Sequence, residues 1–278
     1  MEAVNHTPNS RDLKDYFLTK GEFGMTQVFT TTASLGPLAA DGGQELCIPV
    51  AIAAGCAGIE IRRELFREET PRLDDLKGLI RKGQLVSVYS APIELWKADG
   101  SLNVEKLGVV IPEALSIGAV WLKTSLGHYK SGVSDLEGLK KYWKSLVSDS
   151  DALELTVEND QTLHGGNVLK LRKFFEDCQE AGLFIQMTFD IGNWEFTEEE
   201  AMKAAAELNK YVGYIHLKHV EKIDGKLVTL GLPEEKDSLW RNILDLLPRD
   251  VPRTIEFPVE GEDVEEVLRQ YVSMISEA

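Results

Sequence analysis

Three acids and one histidine stand at or near the ends of strand-like runs: Glu158 after LELTV, Asp190 after FIQMTF, His216 inside GYIHLK and Glu256 after RTI. A carboxylate closing an apolar run costs several kcal/mol unless something compensates it. If all four side chains face one interior, three carboxylates and an imidazole meet in one place. Like charges at that range do not all stay ionised without a cation. One bound divalent metal ion removes the conflict, with Glu158, Asp190, His216 and Glu256 as its ligands. One imidazole and three carboxylates are a hard, oxygen-rich set. It favours Mn²⁺ or Mg²⁺, and Co²⁺ also fits. Such an ion chelates a hydroxyl and an adjacent carbonyl oxygen. It stabilises the enediolate left when the neighbouring C–H proton departs. One carboxylate takes that proton and another returns it.

Elements that could position these residues alternate along the chain. Runs rich in Val, Ile and Thr predict strands near 26–34, 57–63, 85–91, 119–125, 153–159, 184–190, 213–219 and 253–257. Between them RLDDLKGLIRKG, DLEGLKKYWKSLVS, GNVLKLRKFFEDCQEAG and TEEEAMKAAAELNKY carry the helical period. Thr197 reads as the N-cap of the last of these, and Gly182 as a C-terminal glycine. Eight β-α units in this length predict an α/β fold: a single (β/α)8 TIM barrel, one domain over 1–278. An open doubly wound sheet is the competing architecture, but no GxGxxG follows the first strand and no GxxxxGK[ST] occurs. In a barrel, the C-terminal strand ends carry the active site. Charge collects there: Glu60 and Arg62, Lys123, Glu158 and Asp160, Asp190, His216 and Lys218, Glu256. Residues two apart share a face, so His216 and Lys218 point one way and His219 the other.

The 278 residues carry a net charge of −16, which argues against nucleic acid and anionic membrane partners. Three cysteines without a CxxC pair fit reduced, buried thiols of a cytoplasmic protein. The polar opening MEAVNHTPNSRDLKD lacks a signal-peptide core. The longest apolar run, 46–59, is interrupted by Pro49 and Gly55, too short to span a bilayer, and fits a buried helix.

The segments TVEND around Glu158, MTFDIGN around Asp190, YIHLKHV around His216 and TIEFPVEG around Glu256 occur in an order that resembles the xylose isomerase-like TIM-barrel superfamily. The resemblance covers nearly the whole chain and is closest to the sugar isomerase and ketose 3-epimerase branch. It implies that the four residues bind the metal and that Glu158 and Glu256 flank the substrate as acid/base residues. It also implies a small-molecule carbohydrate or keto-acid substrate and a homo-oligomer, dimer or tetramer. The pattern departs at Asn193, where many relatives carry a histidine that holds substrate hydroxyls; Lys222 only weakly matches a later substrate-binding arginine. With five histidines in the chain, that loss argues against the histidine-rich zinc site of the DNA-repair branch.

The expected activity is therefore a divalent-metal-dependent isomerase or epimerase acting on a sugar, sugar acid or sugar phosphate. Glu60, Arg62, Lys123, Asn193 and Lys218 are the candidate substrate-binding residues. The inward cations either pair with the acids or bind a substrate carboxylate or phosphate. The second case points to a sugar acid, keto acid or sugar phosphate, and the resemblance then implies a metal-dependent lyase as the alternative: a dehydroshikimate dehydratase-like enzyme or a sugar keto-acid decarboxylase. A non-catalytic carbohydrate-binding barrel is the third reading. In predicted loops, His128 and His164 are either solvated or line the mouth, and Trp96 and Trp194 are placed to shield a substrate ring. Tyr89 and Trp121 are expected to fill the barrel. The segment after the seventh strand predicts a hairpin around Asp224-Gly225.

Overall fold

The computed structural model describes residues 26–67 and 73–278. Its strands are β1 (Val28–Thr31), β2 (Gly58–Arg62), β3 (Val86–Trp96), β4 (Trp121–Gly127), β5 (Glu154–Glu158), β6 (Gln186–Asp190), β7 (Val212–Leu217), β8 (His219–Ile223), β9 (Lys226–Leu230) and β10 (Arg253–Ile255). Eight of them close an all-parallel barrel in the order β1-β10-β7-β6-β5-β4-β3-β2, the expected (β/α)8 architecture. The remaining two, β8 and β9, form the antiparallel hairpin foreseen at Asp224-Gly225, both of which take positive φ. The polar opening lies outside the described residues.

Strand alternation sorts the side chains. Outward-facing residues such as Ile59, Ile61, Leu122, Val157, Phe189 and Ile215 join Leu76, Leu107, Leu171 and Phe174 of the helices in the main core. Each such side chain contributes roughly 1.5–3 kcal/mol on burial. Inward-facing Phe29, Val88, Trp121 and Tyr214 form a separate apolar plug inside the barrel. Trp121 stacks on Tyr214 with centroids 5.5 Å apart, and Phe29 leans on the same ring at 5.9 Å. Gly58 is required here, because a Cβ would come within 2.7 Å of the Phe29 ring. Charge begins one inward position further along: Glu60 after Gly58, Lys123 after Trp121, His216 after Tyr214.

Several local expectations are corrected. Tyr89 has the opposite parity from Trp121 and donates from its hydroxyl to Glu113 Oε2 at 2.8 Å, between β3 and the helix Val104–Ile117, rather than filling the barrel. β1 stops at Thr31 because its Oγ1 accepts from Ser34 N and caps a 3-10 turn. Thr197 is not a helix cap; its hydroxyl donates to Trp194 O, and the helix Ala201–Leu208 begins after Glu200. The apolar run 46–59 is the helix Cys47–Ala53, a turn at Gly55 (φ +84) and the start of β2. Gly182, at φ +65, does follow the helix Val168–Glu180 as expected. Among the described residues no helix is long and apolar enough to cross a membrane. Cys47, Cys56 and Cys178 are buried free thiols, each pushed up to about 12 by burial.

Candidate functional site

Four strands deliver the four expected ligands to one point. Glu158 ends β5, Asp190 ends β6, His216 lies in β7 and Glu256 directly follows β10. Register fixes their heights: Asp190 pairs with His216, and His216 with Thr254. One ligand atom from each lies within 4.8 Å of every other. The imidazole sits in the middle. Its Nδ1 is 2.9 Å from Glu158 Oε1, 3.1 Å from Glu256 Oε2 and 3.8 Å from Asp190 Oδ2.

The outer faces of these groups are held by other residues. His216 Nε2 donates to Glu60 Oε2 at 2.8 Å. Burial would raise the Glu60 carboxyl, but His216, Lys123 and Arg62 outweigh it and hold the group at about 2. Glu60 is thus an ionised acceptor, the proton sits on Nε2, and the Nδ1 lone pair faces the other three acids when the ring is neutral. A carboxylate behind the distal nitrogen is the usual support of a metal-binding histidine. Asp190 Oδ1 accepts from Gly192 N and Asn193 N, both at 2.9 Å, leaving Oδ2 inside the cluster. Lys123 donates to Glu158 Oε2 at 2.6 Å, and Arg62 to Glu256 Oε1 at 2.5 Å. Lys218 Nζ lies 2.8 Å from Asp190 Oδ2 and 3.0 Å from Glu256 Oε2.

These contacts test whether a cation fits. Within this cluster three buried polar atoms lack an aligned hydrogen bond: Glu158 Oε1, Asp190 Oδ2 and His216 Nδ1. Lys218 is close to Asp190 Oδ2 but poorly directed towards it. The three atoms belong to three of the four expected ligands and face one another. With the ring neutral all three are acceptors, and unsatisfied buried acceptors cost about 1–3 kcal/mol each, more when charged. Either a proton on Nδ1 or a divalent ion therefore relieves the set, and the donors fit such an ion chemically.

Electrostatics describes the protein without that ion. Burial pushes the Asp190 carboxyl up to about 7; Lys218 opposes the shift, while Glu256 and Glu158 add to it. Burial works against the His216 imidazolium, yet Glu60, Glu256 and Glu158 carry it well above the ordinary histidine range. Glu158 is lowered against the effect of burial by Lys123 and His216, and Glu256 is lowered further by Lys218, His216 and Arg62.

The other predicted substrate residues divide. Arg62, Lys123 and Lys218 are in the cluster. Glu60 is fully buried behind His216, so it does not reach a substrate directly. Asn193 is spent on the loops: its amide donates to Asn159 O at 2.8 Å and accepts from Gln161 at 3.2 Å, while it is 4% exposed. That bonding removes it from substrate contact. Asp160 turns away from Glu158 and closes a turn onto Thr162. Trp96 and Trp194 are fully buried, against Tyr129 and Phe189, and shield no mouth. Lys222 lies exposed on the hairpin. His128 and His164, by contrast, come together, with Glu94 of β3 as a partner that sequence reasoning missed. Glu94 carried no signal, since it falls where the third strand was expected to have ended.

No protein-family model and no curated protein matches the sequence. Solved structures match the fold. A D-allulose 3-epimerase from Methylomonas sp., crystallised with D-allulose, aligns with a TM-score of 0.64 at 13% identity, covering 91% of this chain and 97% of that one. A xylose isomerase domain containing protein from Salmonella typhimurium LT2 aligns at 0.65 and 15%, over 91% and 97%. A probable 3-DHS dehydratase from Bacillus anthracis aligns at 0.57 and 14%, over 90% and 98%. The fold is that of the xylose isomerase-like TIM barrels.

Proposed function

We propose that this protein is a divalent-metal-dependent sugar isomerase or epimerase that moves a proton between carbon atoms with Glu158 and Glu256. The observation that carries the reading is the convergence of Glu158 Oε1, Asp190 Oδ2 and His216 Nδ1, three buried atoms without aligned partners, in one place with Glu256. Mn²⁺ or Mg²⁺ suits this donor set, with Co²⁺ as a substitute. When bound, the ion acts as a Lewis acid that acidifies the C–H beside a substrate carbonyl.

The chain's own residues supply the rest. Glu158 and Glu256 enter from β5 and from the end of β10, on two sides of His216. Each keeps one oxygen at the centre while a cation holds the other: Lys123 on Glu158, Arg62 on Glu256. The cations favour the ionised form of both carboxylates, the state needed to accept a proton. They also fix the carboxylate planes: the carboxylate on one face takes the substrate proton, and the other, once it carries a proton from solvent, returns one on the opposite face. Glu60 orients His216, which is its assigned role in place of substrate contact.

Relatives in fold include the epimerase named above, which supports a sugar as the substrate class. A second reading has a specific observation behind it. With all four acids ionised, Glu60, Glu158, Asp190 and Glu256 exceed Arg62, Lys123 and Lys218 by one negative charge. Protonated His216 cancels it. A divalent ion in place of that proton leaves the cluster with one positive charge. Such a mouth suits an anionic substrate: a sugar acid, sugar phosphate or keto acid, including a β-elimination of the dehydratase kind. A substrate of either class is expected to bind without nucleic acid or membrane involvement.

The test is solvent-deuterium exchange on ketoses, sugar acids and keto acids with Mn²⁺-loaded protein. Metal-dependent deuterium uptake at one carbon, lost in Glu158→Gln, is expected. A wild-type protein that takes up no Mn²⁺ or Mg²⁺ by elemental analysis would sink the reading. Lys218→Met separates the two substrate classes: it is expected to raise KM far more for an anionic substrate than for a neutral ketose, and equal effects remove the anion argument.

A further inference from the structure

A second constellation lies outside that machinery. Glu94 on the outer part of β3, His128 just after β4 and His164 in the loop after β5 bring one carboxylate and two imidazoles within 4.8 Å. His164 Nε2 is 2.8 Å from Glu94 Oε1, and His128 Nε2 is 3.9 Å from Glu94 Oε2. The rings stack with centroids 3.8 Å apart and planes 17° from parallel. We infer that Glu94, His128 and His164 form a second metal site, for a zinc-class divalent ion, at the rim of the barrel.

Three observations support this. First, the donor set differs in kind from the central one. Two imidazoles and one carboxylate are borderline ligands that suit Zn²⁺, Co²⁺ or Ni²⁺ better than Mg²⁺. Three protein ligands leave coordination positions for water or a ligand oxygen. Second, separate elements are shaped to meet there. The β3–β4 register shifts between Ser90 and Glu94, a bulge that re-aims the strand. Gly127, at φ +70, lets His128 approach: a Cβ there would lie 2.3 Å from Trp96 O and 2.7 Å from Glu94 Cβ. His164 rides on a tight loop in which Gly165 N and Gly166 N donate to Thr162. Third, an ordinary surface ion pair needs one imidazole, and here the same carboxylate faces two.

The rings are stacked rather than convergent, so capture of an ion requires one imidazole to turn about its Cβ–Cγ bond. Side-chain exposures of 35% for His128 and 27% for His164 leave room for that rotation. Glu94 pairs in register with Ser125, and Ser125 with Glu158. Two strand spacings, roughly 10 Å, therefore separate the backbones of Glu94 and Glu158, and the two sites share no ligand.

Zn²⁺ alone is the probe, counted per chain by elemental analysis after gel filtration and titrated by calorimetry. The wild type is expected to take two ions and the His128→Ala/His164→Ala variant one, with an unchanged far-UV circular dichroism spectrum. Glu94→Gln is expected to weaken the rim site about tenfold or more. In the wild type, Zn²⁺ should also shield both histidines from carbethoxylation, a readout that needs no variant. Equal zinc stoichiometry and affinity in the wild type and the double histidine variant overturn the inference, as does unchanged modification of both rings in zinc. Failure of the central reading looks different: the one ion that remains in Glu158→Ala/His216→Ala would then be matched by only one in the wild type, lost with the rim histidines.

Discussion

Trp121 and Lys123 stand two residues apart on β4, as do Tyr214 and His216 on β7, and all four point into the barrel. The lower pair belongs to an apolar plug with Phe29 and Val88; the upper pair belongs to a buried network of acids and cations. The plug packs mainly by shape and exclusion of water, although Trp121 Nε1 and the Tyr214 hydroxyl are buried there without a hydrogen-bond partner. The charged layer differs in that its unpartnered atoms converge on one point. Every outer oxygen or nitrogen of its central groups has a partner, yet three inner atoms do not. The same strands and the same parity thus produce an apolar floor of packed rings and, above it, a layer whose unpartnered ligand atoms face one another. Proximity explains the contrast: Tyr214 meets His216 edge-on at 5.1 Å, so the dry floor lowers the dielectric that the charges feel.

Substitutions can break that contrast, and the largest effect is expected at Glu256. Glu256→Gln keeps shape but removes a base and a ligand charge. Turnover should fall about 10²–10⁴-fold, measured as kcat on whichever substrate exchanges deuterium; full activity would refute the acid/base assignment. In the floor, Trp121→Ala should cost about 3–5 kcal/mol in urea unfolding, while the folded fraction keeps its metal content. Loss of metal without loss of stability would mean that the floor and the charged layer are not separable. Glu60→Gln retains an acceptor for His216 but frees Lys123 and Arg62 from their inner partner. A rise in metal Kd of about 10–100-fold is expected, read by calorimetry, and an unchanged Kd would remove Glu60 from the support of His216.

The smallest effect is a pH dependence. The Asp190 carboxyl lies at about 7 in the folded, metal-free protein, above its ordinary value of 3.8. A group raised on folding contributes stability below its unfolded pKa, and that contribution is lost as pH rises through the folded value. Metal-free protein should therefore lose stability between about pH 4 and pH 7 on account of Asp190. A bound ion needs the ionised form and a neutral His216, so the gap in Tm between metal-loaded and chelator-treated protein should widen over the same range. Asp190→Asn should flatten that gap, and a gap independent of pH in the wild type would contradict the proton-linked binding.

Much of this was legible in the chain. Period-two alternation and glycine or turn residues between runs are local properties, so the eight barrel strands, the Gly182 helix end and the Asp224-Gly225 hairpin could be read directly. Strand-end chemistry was equally visible, because Glu158, Asp190, His216 and Glu256 each break an apolar run in a way that burial penalises. What the sequence could not supply was partnership. Nothing near Asn193 in the chain shows that Asn159 and Gln161 consume its amide, and nothing near Glu60 shows that His216 is its neighbour across 156 positions. Trp96 and Trp194 looked like loop aromatics until packing buried them. The length of β3 was hidden as well, for the bulge between Ser90 and Glu94 interrupts the alternation that would have announced it. Parity and burial cost are decided by a residue and its immediate neighbours. Which two distant groups share a hydrogen bond, a charge or an ion is decided only when the barrel closes and sets their strands side by side.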